Sequence, residues 1–205
     1  MPVRLKIVCF GDSTTAERLA DGAQLNVYAN ILRDELPYCG VYADVINSGI
    51  PGDNTCRAIE RFGRDVMEHE PDMVVVQFGI NDSWADDSIE RVSRVSAGQY
   101  RSNLSFLVSA LRENGSDIVL MTPNPLGKAY EKWRYDRLHM YAETVREISI
   151  DHNTMLMDVW SIYKDYSLSA GNDRDDLLLD GMHPNGKGHR LIGDALKTLI
   201  CGHIT

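Results

Sequence analysis

Near its C-terminus the chain runs Asp180-Gly181-Met182-His183-Pro184-Asn185, a carboxylate three residues ahead of an imidazole. Residues at that spacing share one face of a helical turn, so the Asp can accept from one ring nitrogen and leave the other as a base. Pro184 biases His183 towards an extended backbone and restricts the ring. The same run also reads as a capped turn with a surface His, Asn185 capping a last helix. A metal pair is a weaker reading, because none of the other five histidines stands at a recognised ligand spacing. A hydroxyl that such a base could serve lies in Gly11-Asp12-Ser13-Thr14-Thr15, where Ser13 would project above a sheet edge. An ST-turn or a helix N-cap is the plain alternative.

Two further loops supply hydrogen-bond donors. Asn47-Ser48-Gly49-Ile50-Pro51-Gly52-Asp53-Asn54-Thr55 holds two glycines that allow close backbone approach, followed by three good N-cap residues. It can aim a backbone N–H at an anion or be only a loop. Gly79-Ile80-Asn81-Asp82 offers the Asn81 amide, or an Asx-turn. Taken together the four loops hold a nucleophile, a base, an orienting carboxylate and oxyanion donors. That is a full inventory for acyl transfer.

These loops need elements to hold them. Apolar runs at 5–10, 41–47, 73–78, 118–122 and 154–159 are apolar on consecutive positions, as strands covered on both faces are. Helical faces fall between them, marked by Leu25, Tyr28, Ile31, Leu32 and Leu36, then by Ile59, Phe62 and Val66, then by Tyr100, Leu104, Leu107 and Leu111 up to Gly115. A fourth helix is predicted at about 132–152, and a last one carries Leu191, Ile192, Ala195, Leu196 and Leu199. Strand–helix alternation with about five strands predicts right-handed crossovers, hence a three-layer α/β/α sandwich with a five-stranded, mainly parallel sheet. Sites in such sheets lie beyond the carboxyl ends of the strands, where the loops after the strands fall.

Composition sets the remaining bounds. The 205 residues predict a single domain over 1–205, and 43% hydrophobic with 25% charged residues is ordinary for a globular chain. Twenty-one basic against 30 acidic residues give a net charge of −9, which disfavours nucleic acid and anionic membrane as partners. No apolar run approaches a membrane span, and MPVRLKIVCF reads as a first strand and not as a signal peptide. Cys9, Cys39, Cys56 and Cys201 lie far apart without a CxxC pair, which predicts buried thiols and a cytoplasmic location. There is no GxxxxGK[ST] and no GxGxxG after a strand. A phospho-acceptor domain would share the sandwich but needs a Lys after the last strand, where Trp160 and Ser161 stand.

The chain resembles the SGNH hydrolases, or GDSL-type esterases and lipases, over nearly its whole length. The matching blocks are Phe10-Gly11-Asp12-Ser13 (with Thr14 for the usual Leu), Gly52, Gly79-Ile80-Asn81-Asp82 and Asp180-Gly181-Met182-His183, in the family's order. The GDST form is similar to that of rhamnogalacturonan acetylesterases. The resemblance implies a flavodoxin-like sandwich and hydrolysis of carboxylic esters with no metal or other cofactor. It makes Ser13 the nucleophile, His183 the base and Asp180 its partner, with an oxyanion hole of Ser13 N–H, Gly52 N–H and the Asn81 side chain. The competing reading is a carbohydrate-binding relative without turnover. For substrate, Trp84 and Trp133, with Tyr130 and Tyr135, can stack on sugars, line an acyl pocket, or simply pack locally. The acidic stretch 86–90 and Asp173, Asp175 and Asp176 would repel anionic substrates if they rim the cleft. The expected substrates are small-molecule or oligosaccharide esters, with short acyl groups on neutral sugars; lysophospholipids or thioesters are the alternative.

Overall fold

The computed structural model describes residues 4–20 and 22–204. Its elements run β1 (Leu5–Gly11), β2 (Leu19–Ala20), β3 (Ala23–Gln24), α1 (Tyr28–Glu35), β4 (Ala43–Gly49), α2 (Thr55–Asp65) and β5 (Met73–Gln77), followed by α3 (Ile80–Ser83), α4 (Ala97–Glu113), β6 (Asp117–Met121), α5 (Lys132–Asp151), β7 (Met155–Met157), α6 (Val159–Leu168) and α7 (Gly186–Ile204). Five strands form one parallel sheet in the order β4-β1-β5-β6-β7, and β2 with β3 makes a small separate hairpin. Chain order reverses between β1 and β5, and a crevice opens at the carboxyl ends of such a pair. Gly11, the last residue of β1, stands there between Gly49 and Gln77.

Consecutive apolar residues serve opposite faces of the sheet. Ile7, Cys9, Met73, Val75, Val119 and Met121 pack with Leu32 of α1 and with Ile192 and Leu196 of α7. Val8, Phe10, Val74, Val76, Ile118 and Leu120 pack with Phe62 of α2, Leu104 and Leu107 of α4, and Val145 and Ile148 of α5. The predicted three-layer sandwich is the observed one. Helix ends follow local chemistry: Asn54 caps α2 by accepting from Cys56 and Arg57 N–H, Ser96 caps α4, and Gly115 closes α4 at φ 82°.

Three expectations change. The run 154–159 ends as a strand at Met157, because the Asp158 carboxylate accepts from Ser161 N–H and starts α6 inside the apolar stretch. The second strand covers Ala43–Gly49 and not 41–47, so it carries Asn47 and Ser48 up to the site. The four cysteines are not all buried thiols: Cys39 and Cys201 form a disulfide, Cys9 is buried, and Cys56 is exposed.

Candidate active site

The turn after β1 is tightly packed. A Cβ on Gly11 would stand 2.2 Å from Thr15 Oγ1 and 2.6 Å from the Gln77 carbonyl, so only glycine lets the strand end here. The Asp12 carboxylate accepts from Thr14 N–H at 2.8 Å, and its carbonyl accepts from Thr15 and Ala16 N–H. This curl lifts Ser13 to partial exposure. Ser13 Oγ lies 3.0 Å from His183 Nε2, and His183 Nδ1 lies 2.7 Å from Asp180 Oδ2. With the Nδ1 proton donated to Asp180, Nε2 is free to accept from the serine.

The reason for the Asp–His contact differs from the expected helical turn. Residues 180–183 form a bend in which Asp180 Oδ1 accepts from Met182 N–H at 3.0 Å and from His183 N–H at 2.8 Å, with Gly181 at φ 80°. It is an Asx-turn. The bend is tied to the segment after β6: Asn124 donates to the Met182 carbonyl at 2.8 Å and Gly127 N–H to the Gly181 carbonyl at 2.7 Å. Asn185 caps α7 through Lys187 and Gly188 N–H, as expected. Partial burial pulls the Asp180 pKa upward, but the hydrogen bonds from His183 and Met182 outweigh it, so it stays below the usual carboxylate value.

The donor loops face the same crevice edge. Gly52 sits at φ 77°, and neither its N–H nor that of Ser13 has an acceptor among the described residues. Asn81, on the single turn of α3, donates from Nδ2 to the Asp53 carbonyl at 2.9 Å, which joins the two loops and leaves its second N–H. Beneath them lies a residue the sequence did not single out. Arg61 of α2, only 7% exposed, donates to Asp53 Oδ2 at 2.7 Å, to the Gly11 carbonyl at 3.0 Å and to the Ser48 carbonyl at 2.9 Å. It binds the ends of β1 and β4 and the Gly52 loop to one another. Asp82 accepts from Thr55 N–H and Oγ1, and Asn103 donates to the same hydroxyl at 2.9 Å.

Trp84 meets Tyr130 edge-on at 5.9 Å, and the Arg134 guanidinium lies over Trp84 at 4.2 Å and over Trp133 at 4.3 Å. Trp133 also faces Arg91 and Arg137, so its ring fastens the 84–94 segment to α5. The acidic residues expected near the cleft are tied into structure. Asp173 and Asp176 form a capping box around the short turn Arg174–Leu177, and Asp175 accepts from Lys128 N–H.

Asp12 is fully buried, and its Oδ2 has no partner among the described residues. Burial pushes its carboxyl from 3.8 up to about 7; Thr14 N–H opposes this, and the charges of Asp82 and Asp53 add to it. The folded chain therefore keeps a proton that the unfolded chain has released above about pH 4. That contribution to stability is complete below the unfolded value and is lost as the pH climbs through about 7. Asp12→Asn removes the titration. Its melting stability relative to the native chain is expected to improve by roughly 2–3 kcal/mol between about pH 5 and about pH 8. A difference that stays constant over that range would mean that Asp12 ionises as an ordinary carboxylate.

The profile of the GDSL-like lipase/acylhydrolase family matches residues 9–191. The chain belongs to that family. It is 29% identical over 144 residues to an arylesterase of Vibrio mimicus, covering 67% of this chain and 66% of that one. It is 27% identical over 154 residues to an acetylxylan esterase of Geobacillus stearothermophilus, covering 74% and 69%. A lipase/acylhydrolase structure from Enterococcus faecalis superposes with a TM-score of 0.82 at 28% identity, over 99% of this chain and 98% of that one. With esterases among its relatives and this fold, the protein is a carboxylic ester hydrolase.

Proposed function

We propose that the protein is a serine esterase that works through an acyl-enzyme on Ser13 and removes short acyl groups, acetyl above all, from carbohydrate-type substrates. The observation that carries the chemistry is the relay of 3.0 Å and 2.7 Å from Ser13 through His183 to Asp180. In this reading His183 Nε2 takes the proton as Ser13 Oγ attacks the ester carbonyl. Asp180 holds the tautomer and stabilises the imidazolium. The N–H groups of Ser13 and Gly52 and the free Asn81 N–H receive the oxyanion. As the tetrahedral intermediate collapses, His183 gives the proton to the departing alcohol. Water, activated by the same nitrogen, then releases the acid.

Short acyl preference rests on the segment between Ser83 and Gln99. A long-chain enzyme must shelter each CH₂, at about 0.8 kcal/mol apiece, in an apolar groove. Here Asp86 pairs with Arg94, and the apolar residues Ile89 and Val92 are 88% and 70% exposed. An acetylxylan esterase among the relatives agrees with this reading. Measured as kcat/KM on p-nitrophenyl acetate, butyrate, octanoate and palmitate with detergent controls, activity is expected to be greatest on acetate or butyrate. A maximum at octanoate or beyond would move the protein to the lysophospholipase or thioesterase reading. Among the described residues no helix is long and apolar enough to cross a membrane. A cytoplasmic location loses one of its two supports, because the Cys39–Cys201 disulfide is of a kind that persists in oxidising compartments.

A further inference from the structure

The buried guanidinium of Arg61 reaches the chain beside each of the three proposed oxyanion donors. Its Nη2 donates to the Gly11 carbonyl at 3.0 Å, two residues before Ser13. Its Nε donates to Asp53 Oδ2 at 2.7 Å, and Asp53 directly follows Gly52. The Asp53 carbonyl in turn accepts from Asn81 Nδ2 at 2.9 Å. Nη1 completes the set, donating to the Ser48 carbonyl at 2.9 Å and to Asp65 Oδ2 at 3.2 Å. We propose that Arg61 is the positioning residue of the oxyanion hole, its fork fixing the spacing of the Ser13 and Gly52 N–H groups and the Asn81 amide. The proposal rests on the esterase reading and assigns to that reaction a residue that never touches the ester.

The three donors come from separate pieces of chain: the turn after β1, the loop after β4 and the single turn of α3. They stabilise an oxyanion only when all three stand at hydrogen-bond distance from one oxygen, and a misplacement of about 1 Å can lower a rate on the order of 10²-fold. A planar guanidinium suits that task, because its donors leave in fixed directions. The packing gives it little play. Its carbon lies 4.4 Å from the centre of the Phe10 ring, and Phe10 meets Phe62 and Phe78 at 6.0 Å and 5.2 Å. The Gly11 carbonyl also accepts from Ile50 N–H at 3.0 Å, so β1 is joined to the Gly52 loop both by the backbone and by Arg61.

Position and not charge is what Arg61 contributes. Asp53 and Asp65 both pair with it, which cancels most of the field that a lone cation would send into the hole. Stability by itself does not call for such a group either. Well-packed apolar side chains often serve a core as well as a buried ion pair does. Here the acceptors are strand-end and loop groups around the donors, where a fixed geometry has chemical value.

Two variants separate position from charge. Arg61→Lys keeps the charge and loses the fork. Asp53→Asn removes a negative charge beside the hole and leaves the loop backbone in place. Each is expected to lower kcat on p-nitrophenyl acetate at least about tenfold, with KM within about twofold of native, at a temperature where circular dichroism shows the native fold. An electrostatic role would give the opposite pattern, with Arg61→Lys near native and Asp53→Asn as fast as native or faster. Coupling to the donors is read from a double-mutant cycle. Once Asn81 is alanine, Arg61→Lys is expected to cost at least about threefold less than it does in the native chain. A smaller fall in kcat in either folded variant, or costs of Arg61→Lys and Asn81→Ala that simply multiply, overturns the proposal. If one variant does not fold, the other decides; if neither folds even at 10 °C, Arg61 serves the fold and the proposal is overturned. A native chain that does not hydrolyse p-nitrophenyl acetate overturns the esterase reading and this proposal with it. An active native chain with active variants overturns this proposal alone.

Discussion

Replacing Ser13 by alanine is expected to lower kcat on p-nitrophenyl acetate by at least about 10⁴-fold with little change in melting temperature. The hydroxyl sits partly exposed just past the end of β1, and its one hydrogen-bond partner among the described residues is His183 Nε2 at 3.0 Å. A partly exposed hydroxyl outside the hydrophobic clusters contributes little to packing, so its loss is one of chemistry. His183→Ala is expected to cost a similar factor, and the double variant little more than either alone, because members of one relay act as a unit. Residual catalysis of about 10³–10⁴ over water can survive through the donors of Gly52 and Asn81. Treatment of the native chain with a fluorophosphonate should place the adduct on the peptide holding Gly11-Asp12-Ser13. A Ser13→Ala protein of normal activity, or an adduct elsewhere, would remove Ser13 as nucleophile. No labelling and no turnover together would point to the carbohydrate-binding reading.

Much of this arrangement was legible because strand ends in a parallel sheet gather whatever follows them. Ser13, Gly52 and Asn81 each stand within a few residues of β1, β4 or β5, neighbours in the sheet, so their convergence followed from topology alone. The five strands were visible as consecutive apolar runs, since both faces of each are covered. What stayed hidden depends on contacts between distant residues. Arg61 reads as a polar position between Ala58 and Phe62, and it is Asp53, Asp65 and two strand-end carbonyls that make its burial tolerable. The three-residue spacing of Asp180 and His183 suggests a helical turn, but with Gly181 at φ 80° the chain makes an Asx-turn, which brings the same two side chains together. Helix α6 has no counterpart among the predicted elements: the run 154–159 takes in only its cap Asp158 and its first residue Val159, and Asp158 looks like one polar residue in an apolar run until its cap is seen.

The cysteine pairing was hidden most completely, and it yields the second large effect. Cys39 closes the short turn after α1 and Cys201 lies in the last turn of α7, and these two helices pack on the same face of the sheet. The bond closes a loop across a sequence separation of 162 residues. A chain-entropy estimate for so long a loop is roughly 5 kcal/mol, and measured values usually fall at about 2–4. Cys39→Ser with Cys201→Ser is therefore expected to lose about 2–5 kcal/mol of stability. For a chain of this size that is a fall in melting temperature of roughly 4–20 °C, matched by reduction of the native protein. The kcat at 25 °C should be unchanged. Cys201 stands fifteen residues along α7 from Gly186, about 22 Å from the end that Asn185 caps beside the site. Thiol titration separates this from ordinary core damage. The oxidised protein should show one reactive thiol when folded, the exposed Cys56, and two when unfolded without reductant, with Cys9 added. Four thiols in the unfolded, unreduced chain would mean that Cys39 and Cys201 do not pair, and would restore the buried-thiol reading of the sequence.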